Sequence, residues 1–271
     1  MIINKIEDLG LNQHQAFLFP PINMGSVSGN EIIKLCTSGY IDKDVAATLK
    51  YLYKFKCATL DYIVKDMEIA DSVKFGKKIK ELCKKRILNA FVMTDSKEEF
   101  SEKGLVFYTL DYGALVVLKA CEDDDNIENW KASDTIMTGL KVKKSLMLID
   151  LYRKIKPKTE YFKSYPMYLS FGARLRAKAV MSLRDGQAID GKTGEFIIEI
   201  VCKDDLFDLS ESRIEEKTMR YEQLLTTDGW KWAGFVEKPT LLVIGDSAKS
   251  LDDFKRRINN VNIEKIAYAV L

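Results

Sequence analysis

The stretch Asp71–Leu88, DSVKFGKKIKELCKKRIL, decides how the first half of the chain is read. Seven basic residues there face two acidic ones, a local net of +5. Phe75, Ile79, Leu82 and Cys83 recur at helical spacing and form one apolar stripe, while Lys74, Lys77, Lys78 and Lys85 lie mostly on the other side. Asp71 stands where a capping carboxylate can accept from the amides of the first turn, which have no acceptor inside the helix. Residues 73–87 are therefore predicted to form an amphipathic helix with one strongly basic face.

The flanking sequence sets the context of that helix. Upstream, Asp42–Phe55 reads as a helix with Val45, Leu49, Leu52 and Tyr53 inward, followed by a break at Lys56–Ala58. A short helix capped by Thr59 follows, with Leu60, Ile63, Val64 and Met67 inward. Downstream come a strand at Leu88–Met93, a polar tip at Thr94–Gly104 and a second strand at Leu105–Leu110. Three helices and a two-stranded hairpin in that order predict a winged helix-turn-helix over residues 41–121. In such modules the third helix enters the major groove of DNA and its cations contact phosphates. Lys74, Lys77, Lys78, Lys84 and Lys85 on the helix, with Lys97 and Lys103 flanking the acidic hairpin tip, are the expected DNA-binding residues. The competing readings of the same pattern are an ordinary solvated helix face, or a winged fold used for protein contacts.

Composition narrows the function classes further. The chain has 271 residues, enough for about two domains. Its 46% hydrophobic and 30% charged residues suit a packed core rather than global disorder. The formal charge is only +2, so the local distribution of charge carries the information about partners. Cys36, Cys57, Cys83, Cys121 and Cys202 stand singly, which predicts free thiols in a cytoplasmic protein rather than a zinc site or a disulfide framework. A single histidine, His14, argues against a histidine-rich metal centre or a histidine-based triad. No apolar run reaches the roughly 18 residues of a membrane span. There is no Walker loop, no dinucleotide-binding glycine fingerprint and no G-x-S-x-G, so no cofactor is expected. Trp130, Trp230 and Trp232 read as core or interface anchors.

The rest of the chain reads as an arm, a linker and a second domain. Residues 1–40 form an N-terminal arm; its segment QAFLFPPINMG is too apolar for a free tail and is expected to pack on the second domain or on a partner subunit. Asp111 is expected to cap a short apolar helix at Ala114–Ala120. Residues 122–132 carry four adjacent acidic residues and are read as a linker. Residues 133–271 then give a helix at Ser133–Ile155, strands around Tyr161–Phe171, Arg174–Leu183 and Glu195–Cys202, and a helix at Ser210–Leu225. They end with a strand at Thr240–Gly245, a helix at Ser250–Asn259 and a strand at Lys265–Val270. The run FIIEIV within the third strand is apolar enough for a buried central strand.

That order, α-β-β-β-α-β-α-β, resembles the core of the PD-(D/E)-x-K nuclease-like fold. Its active members hold a divalent metal with an Asp on the second strand and an E-x-K on the third, oxygen ligands suited to a hard cation. Here Glu199 occupies the acidic position, Val201 stands where the lysine belongs, and Lys178 stands where the Asp belongs. The domain is accordingly expected to lack a metal and catalytic residues. Glu199 is expected to pair with Lys178, Lys217 or Arg220.

The stretches IKELCKKRIL, VFYTLDYGALVV, RAKAVMSLRDG, FIIEIV and RIEEKTMRYEQLL together resemble the replication-relaxation family of bacterial plasmid and mobile-element proteins. Where that family has P-D-A and E-V-D, this chain has Ala177-Lys178-Ala179 and Glu199-Ile200-Val201. The resemblance implies a non-enzymatic DNA-binding accessory protein in plasmid replication, DNA relaxation or conjugative transfer. The alternatives are a metal-dependent nuclease and a winged-helix transcriptional regulator. Expected partners are double-stranded DNA, a second copy of the chain, and other plasmid-processing proteins, with no membrane.

Overall fold

A computed structural model describes residues 16–17, 28–93, 105–121, 139–164, 168–171, 173–203 and 211–271. The chain is mixed α and β and divides into two compact units, Met1–Leu146 and Met147–Leu271, the division falling inside the helix Gly139–Ile155. The expected acidic linker and hairpin tip lie outside the described residues. No described helix is long and apolar enough to cross a membrane.

In the first unit every early helix starts at a side-chain cap. Ahead of α1 (Gly29–Thr37), the Ser28 hydroxyl accepts from the Glu31 amide at 3.2 Å and the Glu31 carboxylate accepts from the Ser28 amide at 3.0 Å. Asp42 caps α2 (Lys43–Phe55) by accepting from the Val45 amide at 2.9 Å. Thr59 caps α3 (Leu60–Asp66) and Asp71 caps α4 (Ser72–Lys84), as their residue types predict.

Four antiparallel strands complete this unit: β1 (Ala16–Phe17), β2 (Cys57–Thr59), β3 (Leu88–Met93) and β4 (Leu105–Leu110), in the order β1-β3-β4-β2. Where the sequence suggests a mere break after α2, the structure has β2. Lys56 turns the chain with a φ of 72°, and Cys57–Thr59 then gain their backbone partners from β4, a tertiary pairing that three residues cannot announce locally. The N-terminal arm also departs from expectation. Ala16 and Phe17 pair with Met93 and Val92, so this part of the arm extends the sheet of its own unit by using the open edge of β3. Leu49, Leu52, Phe55, Ile63, Phe75, Ile79, Leu82, Phe91 and Phe107 are buried, and Phe91 stacks on Phe107 across the β3–β4 pair at 5.4 Å.

Two close approaches hold α4 in place. A Cβ at Gly76 would come within 3.1 Å of the Leu60 side chain, so the glycine lets α3 and α4 meet. A Cβ at Gly113 would lie 2.7 Å from the Arg86 carbonyl, at the start of α5 (Tyr112–Cys121). There Asp111 accepts two hydrogen bonds from the Arg86 guanidinium, at 2.9 and 3.2 Å, and a third from the Tyr112 amide at 2.7 Å.

The expectation of five free thiols is corrected at Cys36. Cys57, Cys83 and Cys202 are free and buried, but Cys36 is disulfide-bonded. Singly spaced cysteines meet only through tertiary packing, which spacing along the chain does not reveal. Burial pushes the Cys57 and Cys83 thiols up to about 12, so both behave as small apolar side chains.

The second unit is built on a five-stranded sheet. After α6 (Gly139–Ile155) come β5 (Thr159–Lys163), β6 (Tyr168–Phe171), β7 (Ala173–Arg176), β8 (Ala179–Leu183) and β9 (Glu195–Val201). Then follow α7 (Glu211–Thr226), α8 (Gly229–Trp232), β10 (Thr240–Gly245), α9 (Ala248–Arg257) and β11 (Ile266–Val270). The order is β11-β10-β9-β8-β5, with β9, β10 and β11 parallel and β8 and β5 antiparallel to their neighbours. Two elements expected as single strands are each divided. Tyr161–Phe171 becomes β5 and β6, and Arg174–Leu183 becomes β7 and β8, because the chain leaves the sheet after Lys163, forms a separate β6–β7 hairpin, and returns at Ala179. All four segments have strand-like residue patterns, so periodicity alone does not mark where the chain changes sheets. Strand β9 is central and buried along its whole length, as its run of apolar residues predicts.

Candidate nucleic-acid interface

Helix α4 is fixed by its apolar face. Phe75, Ile79, Leu82 and Cys83 are buried and the helix packs against β3. At 100° per residue, Val73, Lys77, Lys80 and Lys84 then fall in one line on the opposite side, with Lys74 and Glu81 flanking it. This line spans about three turns, roughly 16 Å. All six side chains are exposed, Val73 at 70%.

The expected lysines fall into distinct groups. Lys74 and Lys77 are exposed and have no acidic partner among the described residues, and the same holds for Lys80, a member of the basic cluster that the sequence pattern alone does not single out. The signal for it is its spacing, since position 80 lies one turn beyond 77 on the same stripe. Lys84 reaches Glu81 at 2.8 Å on the exposed face. Lys78 turns sideways instead and donates to Asp42 at 2.5 Å, with its ammonium 5.4 Å from the centre of the Tyr40 ring. Lys85 lies 5.3 Å from the same ring. Lys78 and Lys85 thus clamp α4 to the turn between α1 and α2. Burial pushes the Asp42 carboxyl up, but the Lys78 hydrogen bond, the Val45 amide and the Lys78 charge together hold it below the ordinary carboxylate value. Lys97 and Lys103 lie outside the described residues.

The second unit treats its charges differently. Glu199, on the face of β9 that carries Ile197 and Val201, is buried and accepts at one oxygen from Lys217 at 2.7 Å and from the Tyr221 hydroxyl at 2.8 Å, both on α7. Burial, reinforced by the Glu199 charge, drives the Tyr221 hydroxyl well above its usual value. Lys217 is therefore one partner that the structure gives Glu199, while Arg220 bonds Glu216. Lys178 precedes β8, where its amide donates to the Ile198 carbonyl.

A second carboxylate, Glu195, carries no sequence signal because it stands at the edge of the mainly apolar run FIIEIV. It is buried and receives the Tyr161 hydroxyl at 2.5 Å and the amides of Val236 and Glu237 at 2.7 and 3.0 Å. These donors come from two distant parts of the chain and make Glu195 a tether for the segment that leads into β10. Among the described residues, no three His, Cys, Asp or Glu side chains gather where they could hold a metal ion. The buried carboxylates of this unit are thus satisfied internally, whereas Lys74, Lys77 and Lys80 of α4 stand exposed without an acidic partner among the described residues. No family model, curated protein or solved structure matches the chain.

Proposed function

We propose that the chain is a DNA-binding accessory protein of a plasmid or mobile element, docking duplex DNA on the outward face of α4. In this reading the first unit is a winged helix-turn-helix with α2, α3 and α4 as its helices and β3–β4 as its wing. The second unit is a nuclease-like domain that does not cleave. One observation carries the reading: Lys74, Lys77 and Lys80 are exposed together on the side of α4 opposite its buried face, with no acidic partner among the described residues. Cations left unneutralised over about 9 Å of a rigid helix, between one and two turns, suit the regular phosphates flanking a major groove that accepts one helix. The order of strands and helices in the second unit and the Glu199–Lys217–Tyr221 cluster support a fold of the nuclease type whose acidic position has become structural. Self-association belongs to the same reading, since two-fold operators pair with dimeric readers.

Fluorescence anisotropy with unrelated duplexes between 50 and 200 mM salt tests the proposal. Affinity is expected for all of them, falling linearly on a double-logarithmic plot. No measurable binding to any duplex at the lowest salt would overturn it. Supercoiled DNA incubated with the protein and Mg²⁺ is expected to stay uncut, and nicking abolished by Glu199→Ala would restore the nuclease alternative.

A further inference from the structure

We infer that Val73 makes this surface selective for thymine, its isopropyl group meeting the 5-methyl group of thymine bases in the major groove. The inference rests on the DNA-binding reading of α4 and adds a base preference to it. Val73 is the second residue of the helix, directly after Ser72, and 70% of it is exposed. A β-branched side chain has low helix propensity, and here it buries little in return. It heads the line that continues through Lys77, Lys80 and Lys84.

In helix-turn-helix modules the N-terminal residues of the recognition helix contact base edges. The sequence of α4, SVKFGKKIKELCK, contains no Arg, Asn or Gln. The planar side chains that read guanine or adenine bidentately are thus missing, and Lys74 beside Val73 is a compact point charge rather than a fork. An aliphatic group at the reading position can distinguish one feature of the groove, the thymine methyl. The lysines behind it supply affinity without sequence preference, and Val73 supplies the discrimination.

The test uses two duplexes of equal length, one of alternating A and T and one in which deoxyuridine replaces every thymidine. Only the methyl groups differ. Wild-type protein is expected to bind the thymine duplex tighter by about fourfold for each methyl contacted, the value of burying one such group. Val73→Ser is expected to abolish that preference and Val73→Ile to keep it, all with unchanged thermal melting because the residue is exposed. Lys74→Ala/Lys77→Ala/Lys80→Ala should weaken binding to both duplexes in parallel. If the lysine variant binds normally, the DNA-binding reading of α4 fails. If the lysines matter but wild type binds both duplexes equally, or Val73→Ser leaves the preference intact, the thymine inference alone is overturned.

Discussion

Helices α4 and α9 are both rich in basic residues but handle them in opposite ways. On α9, Lys255 faces Asp252 at 3.8 Å and Arg256 bonds Asp253, each one turn away on the same helix. On α7, Lys217 holds Glu199 and Arg220 holds Glu216. On α4 only Lys78 and Lys84 have acidic partners among the described residues, and Lys74, Lys77 and Lys80 project without one. A count of lysines does not separate these helices, whereas the position of the nearest carboxylate does. Charge that is cancelled within three residues projects little field, and charge left alone on a rigid face can attract a polyanion.

The comparison breaks most readily at the three outward lysines. Replacing Lys74, Lys77 and Lys80 by Ala together is expected to flatten the slope of log affinity against log salt by about 2.7, close to 0.9 for each lost phosphate contact. A comparable triple change on α9, Lys255→Ala/Arg256→Ala/Arg257→Ala, is expected to leave the slope unaltered.

The next effect in size concerns stability rather than binding. Glu199→Leu removes a buried acceptor from Lys217 and Tyr221, and a loss of about 2 kcal/mol is expected, reduced from the fully buried case because Lys217 is partly solvated. Urea unfolding would read this directly, with the salt slope of the folded protein unchanged.

Lys78→Ala/Lys85→Ala sharpens the division within α4 and its C-cap. These two lysines contact Tyr40 and Lys78 bonds Asp42, so stability should fall by about 1 kcal/mol while the salt slope moves little. A slope change equal to that of the outward triple would erase the distinction between the two groups.

The smallest effect depends on pH. The folded-state value of Asp42 lies below its unfolded value, so its contribution is present above the unfolded value and is lost as pH falls through the folded one. Denaturant midpoints taken from pH 5 downward should therefore decline below about pH 4, and less so in Asp42→Asn.

What the sequence made legible follows from how local each signal is. The N-caps Thr59 and Asp71, the stripe Phe75–Ile79–Leu82–Cys83 and the buried run in β9 depend on neighbours within a few residues, and each appears where its pattern indicates. The strand Cys57–Thr59, the pairing of Ala16 and Phe17 with β3, the separate β6–β7 hairpin and the disulfide at Cys36 depend on residues distant in the chain. None of those has a local period. At the candidate site the same rule divides the lysines. Helical spacing identifies a basic face, but only the position of Asp42 and Tyr40, more than thirty residues upstream, separates Lys78 and Lys85 from Lys74, Lys77 and Lys80.

Lysine-reactivity footprinting by mass spectrometry, with and without saturating duplex DNA, tests most directly that the outward face of α4 is the contact surface. Lys74, Lys77 and Lys80 are expected to lose reactivity when DNA is bound, while Lys217 and Lys255 keep theirs. Unchanged reactivity at all three α4 lysines, with protection concentrated on the second unit, would contradict it.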